Sequence, residues 1–240
     1  MKINFIIESI LPLLFVLPLT ILFIKDKSQI NIIALFSVVF IVHEIILHLP
    51  KEFIELQLIK GKWNWTGKLA GIIFGIFTYM ILRDKLKPFD FLRFRQYPKT
   101  FFKTLVVVLI MVCISFFSYF DTAKEFDWET LIFQLTMPGF DEEIIFRAIL
   151  LGLLLTCLND NIKISRWTLG NPSVLIVSLL FGLVHGIHFK NNFEFEFYPF
   201  FASSLYGYVW GWITIKSRSI LLPIISHNLT NFLNNVLRMI

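Results

Sequence analysis

Apolar residues fall in long blocks along the chain, and polar residues collect in the short stretches between them. A helix of about 20 apolar residues crosses a bilayer. Eight blocks approach that length: 3–24, 30–49, 66–82, 101–120, 141–158, 173–189, 198–215 and 219–237. The third is the weakest, because its solidly apolar part is only LAGIIFGIFTYMIL. Residues 130–137 read as an approach helix that breaks at Pro138-Gly139 before the fifth block. Backbone groups in hydrocarbon must be satisfied within their own segment, which leaves helices. The pattern therefore predicts an all-α fold, a polytopic transmembrane helical bundle of about eight spans. It reads as one membrane-embedded domain over 1–240, with four N-terminal spans in 1–120 and the motif-bearing spans in 130–237. No internal repeat, low-complexity stretch or soluble-domain linker interrupts it.

Composition sharpens this reading. Hydrophobic residues make up 56% of the 240 and charged residues only 16%, against about 25% charged in soluble domains. The mean hydropathy is +0.72. The first apolar run is too long for a signal-peptide core and no A-x-A site follows, so it reads as a retained span. The net charge of +5 does not argue for nucleic acid, because Lys and Arg of membrane proteins gather in cytoplasmic loops. The loop 83–103 holds Arg83, Lys85, Lys87, Arg93, Arg95, Lys99 and Lys103. The facing loop 121–129 holds Asp121, Glu125, Asp127 and Glu129 with Lys124 alone basic. Placing 83–103 in the cytoplasm puts 13 basic residues on that side and 8 on the other, with Arg147 inside a span, so both termini are expected outside. The Ile, Phe, Lys and Asn bias points to a bacterial cytoplasmic membrane. Cys113 and Cys157 both lie in apolar runs and build no disulfide framework. The pairs Gly71/Gly75 and Gly207/Gly211 have GxxxG spacing and read as ordinary helix packing.

Against this background the polar residues within spans stand out, since each charge at a span centre costs on the order of 2.5–3.5 kcal/mol and marks function. In DEEIIFR, Glu143 and Arg147 are four apart and share a helix face, so they can pair. Glu142 is turned about 100° away and has no partner in its own helix, which leaves it free to act on something else. The segment is expected to face a wet internal cavity rather than lipid. In FGLVHGIH, Phe181 and His185 are four apart, and His188 follows near the span end. In HNLTN, His227 and Asn231 share a face, while Asn228 and Asn234 lie elsewhere on the helix. Taken singly, each of these reads as well as a buried ion pair, a satisfied core histidine or an interhelical hydrogen bond.

Together, EExxxR, FxxxH and HxxxN in this order resemble the CPBP family of intramembrane proteases, which includes the CAAX prenyl endopeptidases and bacteriocin-processing proteins. The resemblance runs from about 138 to 234, and the first four spans match only by hydropathy. It implies a catalytic set of Glu142, Glu143, Arg147, His185, His227 and Asn231. Chemically, Glu142 suits a general base on a water that His185 helps to orient. His227 and Asn231 suit an oxyanion, and Glu143 with Arg147 suits their support. Glu142, Glu143, His185 and His227 could instead supply ligands to a zinc ion, with Glu142, His185 and His227 as the set. No cofactor is favoured, because no i,i+4 His pair exists and Asn is a poor zinc ligand. The expected partners are the lipid bilayer and a hydrophobic or lipidated peptide.

The second span carries HEIILH, but its histidines His43 and His48 are five apart and point about 140° from each other, unlike a zincin pair. His43 and Glu44 are therefore read as interfacial. Two other functions compete: a non-catalytic immunity or interaction protein on the same scaffold, and a transporter. The transporter would call for internal repeats.

Overall fold

The computed structural model describes residues 4–120, 124–164, 166–168, 170–189 and 192–240; Asp121 of the acidic loop lies outside them. The fold is all-α, and the helices run back and forth between two ends. Helix α1 (Asn4–Leu22) is followed by α2 (Ile30–Glu52) and α3 (Trp65–Ile81). The short α4 (Arg83–Leu86) leads into α5 (Pro98–Ile114). Helix α6 (Trp128–Glu143) continues without a gap into a π-helical segment (Ile144–Leu150) and then α7 (Leu151–Cys157). Helices α8 (Pro172–Gly186), α9 (Phe197–Ser217) and α10 (Leu221–Met239) complete the bundle. Two small antiparallel hairpins sit in the connections: β1 (Lys163–Ile164) with β2 (Trp167–Thr168), and β3 (Ile187–Phe189) with β4 (Phe193–Phe195).

Local chemistry sets many of these boundaries. Asn64, Asp127 and Asn171 each accept hydrogen bonds from the first free amides of α3, α6 and α8. Pro98 and Pro172 occupy first-turn positions, where a missing N–H costs nothing. Arg218, at φ 53°, turns the chain from α9 into α10. Asp127 also accepts from Lys62 Nζ at 2.8 Å, which ties the 53–64 loop to α6. That bond and one from Thr130 hold the Asp127 carboxyl well below the usual carboxylate range.

Backbone bonds define the two ends. At one, Lys25 N donates to Cys157 O, Tyr97 N to Ser217 O and Ile220 N to Phe91 O. At the other, Lys124 N donates to Arg238 O, and Phe189 N to the Glu8 carboxylate.

By length and composition, three helices among the described residues can cross a membrane: Phe5–Leu22, Lys27–Glu52 and Pro98–Phe117. Trp65–Ile81 with Arg83–Phe89, bent by 78°, makes a fourth if the pair is one span. These segments present exposed apolar side chains such as Phe15, Val38, Phe77 and Leu109, as a lipid-facing surface does. The other expected spans fall short for physical reasons. Helix α8 is apolar but has only 15 residues, α10 carries His227 and four asparagines, and α6 is interrupted by the DEE cluster. Their cover comes from neighbouring helices. From Ile144 to Leu155 every residue is buried, so the motif-bearing strand of chain is the bundle's axis.

The expected break at Pro138-Gly139 does not occur: both residues lie inside α6. A proline within a helix disturbs the backbone ladder around it, and Asn228 of α10 bonds to backbone groups on either side of Pro138. Its Oδ1 accepts from Gly139 N at 2.7 Å, and its Nδ2 donates to Thr136 O at 3.3 Å. Helix α10 can reach so close because residue 139 has no side chain. A Cβ there would lie 2.6 Å from Asn228 Oδ1 and 2.9 Å from Ile224 O.

Candidate active site

The polar residues of α6, α8 and α10 meet beside a cavity of about 1620 Å³. Glu142, His185, His227 and Asn231 all line it. The end of α6 delivers Glu142 and Glu143 about 100° apart around the helix, and both reach the His227 ring; the π segment follows at once. A π turn inside an α-helix is a frequent mark of functional sites; here it packs Arg147 into the core beside the buried Glu143, while Glu142 remains at the cavity wall.

Glu143 and Arg147 pair as the sequence predicts, with Nε 3.2 Å from Oε2 and both side chains wholly buried. The guanidinium also lies over the rings of Phe181, at 4.9 Å, and Phe146, at 5.8 Å, which supplies the apolar and cation–π contacts such a buried charge needs. The other Glu143 oxygen accepts from His227 Nδ1 at 3.0 Å. His227 is stacked on Trp210, with centroids 4.2 Å apart and planes 15° apart. Its ring is thus fixed on one face by an indole and at one nitrogen by a carboxylate.

His185 is fixed in the same manner. Its Nδ1 donates to Phe181 O at 2.8 Å, since a carbonyl can only accept. The Phe181 ring lies 4.5 Å from the His185 ring and 6.1 Å from that of His227, wedged between the two imidazoles. With both Nδ1 atoms engaged, both Nε2 atoms face Glu142 Oε2, His227 at 3.7 Å and His185 at 3.9 Å. Glu142 Oε2 is buried and makes no hydrogen bond among the described residues. Neutral imidazoles with Nδ1–H donated offer lone pairs at Nε2, so three acceptors converge on one spot. Something that donates protons, a water above all, suits that spot. Asn231 contributes its side chain to the wall one turn along from His227. His188, read as structural, pairs at 3.8 Å with Glu196 across the hairpin connection.

Zinc would need ligand atoms about 3.3 Å apart at bond lengths of about 2.0–2.1 Å. The spacings of 3.7 and 3.9 Å are wider. Among the described residues no group of three His, Cys, Asp or Glu side chains is placed to hold a metal ion. Glu143 is occupied by Arg147 and His227. As arranged, the residues do not fit the metal, and no step is routed through one.

Two expectations need correcting. Glu142 is not free: Lys68 Nζ of α3 donates to its Oε1 at 2.6 Å. His43 and Glu44 are not interfacial, being 0% and 2% exposed. His43 Nε2 lies 3.0 Å from Asp141 Oδ1, and its Nδ1 3.2 Å from Glu44 Oε1. The five-residue spacing does rule out a paired grip on one metal: His48 points away and bonds its own backbone at Glu44 O. The signal for Lys68 was present in the sequence, as a basic residue at the head of the apolar run LAGIIFGIF.

The comparisons with known proteins agree with the motifs. Residues 124–233 match the family model of the Rce1-like type II CAAX prenyl endopeptidases. No curated protein and no solved structure matches the chain.

Proposed function

We propose that this chain, whose residues 124–233 match the family model of the Rce1-like type II CAAX prenyl endopeptidases, is an intramembrane endopeptidase acting by a carboxylate-activated water. The observation that carries the reading is the unpartnered, buried Oε2 of Glu142 facing two oriented imidazole nitrogens in an open cavity. A water seated there donates one proton to Glu142 and is held by an imidazole lone pair. Its oxygen attacks the peptide carbonyl, Glu142 takes the proton, and Glu142 returns it to the departing amine. The Asn231 amide donates to the oxyanion. Each such donor is worth about 10²–10³ in rate.

The apolar exposed helices make the chain an integral membrane protein. We assign eight crossings, with the central pass shielded by the rest, and place the protein in a bacterial cytoplasmic membrane. The substrate is a hydrophobic or lipidated peptide, admitted from the bilayer into the cavity. Purified protein with Glu142→Gln should lose cleavage of such a peptide by at least about 10³-fold while remaining folded, and wild-type cleavage should survive a chelator. Cleavage that persists in Glu142→Gln, or that is lost to chelation and regained with zinc, would refute this mechanism. A cellular phenotype retained by Glu142→Gln would favour the non-catalytic reading.

A further inference from the structure

The N-terminal helices, which lie outside the matched segment and carry none of its motifs, supply Lys68 and His43 to a buried chain of polar groups that runs through Asp141 of α6 and ends on Glu142. Lys68 Nζ lies 2.6 Å from Glu142 Oε1 and 2.8 Å from Asp141 Oδ2. Asp141 Oδ1 meets His43 Nε2 at 3.0 Å, and both side chains are 0% exposed. Every link is short, and each group is held on its far side by the next. Space for the chain comes from Gly71 of α3. A Cβ at that position would lie 2.1 Å from Asp141 Oδ1 and 3.2 Å from His43 Nε2.

We propose that Lys68 is the positioning residue for Glu142, and that Asp141 and His43 act through it. The argument is geometric. A carboxylate has two oxygens and one torsion that swings them. Among the described residues, Lys68 makes the sole hydrogen bond to Glu142, through Oε1. With that oxygen pinned, Oε2 is directed at His185 and His227. Lys68 in turn cannot follow a swinging Glu142, because Asp141 holds its ammonium. Asp141 cannot shift either, with His43 on its other oxygen and Gly71 close behind. The ammonium that aims Glu142 is therefore supplied by α3 and backed by His43 of α2 through Asp141 of α6, outside the EExxxR, FxxxH and HxxxN residues themselves.

The proposal rests on the peptidase reading, and its test separates the two. Steady-state cleavage of a fluorogenic lipidated peptide is compared for wild type, Glu142→Gln, Lys68→Met and Lys68→Arg in detergent or vesicles, with folding followed by thermal unfolding. A reacting group displaced by about 1 Å costs on the order of 10²-fold. Lys68→Met should therefore lower kcat about that much while KM stays within about threefold, and Lys68→Arg should recover part of the loss. A merely structural lysine would reduce the amount of folded enzyme without lowering its kcat. If Lys68→Met does not fold, the pair Lys68→Met/Asp141→Asn, which removes a cation and an anion together, carries the same measurement. Folded Lys68→Met with wild-type kcat overturns the assignment of Lys68 and leaves the peptidase standing. Cleavage indifferent to Glu142→Gln overturns the peptidase and the assignment with it.

Discussion

At the scale of single residues, the site is a set of side chains that hold one another in place. Arg147 occupies one oxygen of Glu143, and His227 occupies the other. His185 spends Nδ1 on a carbonyl, and Lys68 takes one oxygen of Glu142. One oxygen of Glu142 and an Nε2 from each imidazole are turned toward one another. Removing one partner of a buried ion pair costs about 3–5 kcal/mol, because the other charge is stranded. Arg147→Met should accordingly lower thermal stability by about that amount, where an exposed arginine would register almost nothing. Unfolding in detergent measures it, and an unchanged midpoint would mean that Trp210 and Phe181 alone hold His227. The pairing of Glu143 with Arg147 was legible in the sequence because both lie on one helix, four residues apart. The Lys68 bond was not, because 74 residues separate the partners, and nothing in a single sequence records which face of one span meets which face of another.

At the scale of elements, α6 and α10 fix the working distances. Asn228 replaces the backbone partners that Pro138 disturbs, so the helix stays continuous where the sequence suggested a break. Residue spacing predicted that Asn228 lies off the His227–Asn231 face, and it does; its role followed only from the neighbouring helix. The π segment was equally hidden, since apart from Arg147 its seven residues are apolar and carry no mark of a widened turn. Gly139→Ala tests this junction. The added methyl meets Asn228 and the Ile224 carbonyl at under 3 Å, and overpacking of this kind costs about 1–3 kcal/mol. The expected result is a kcat loss larger than the stability loss accounts for, because α10 carries His227 and Asn231 away from Glu142. Equal activity in the folded variant would show that α10 can yield without moving them.

At the scale of the molecule, backbone bonds gather the basic connections at one end and the cavity mouth at the other. The charge asymmetry along the sequence thus becomes a charge asymmetry in space, and the cavity is expected to open away from the cytoplasm. With Cys113 and Cys157 replaced, Lys60→Cys should react with a membrane-impermeant maleimide in intact cells and Lys87→Cys should not. The reverse pattern would invert the topology and leave the site chemistry untouched. The joint between α3 and α6 has a last implication for how such proteins are taken apart. The segment that bears EExxxR, FxxxH and HxxxN is not a transplantable module: grafted onto another set of leading helices, it would bring its acid and its imidazoles but leave behind the ammonium that aims them.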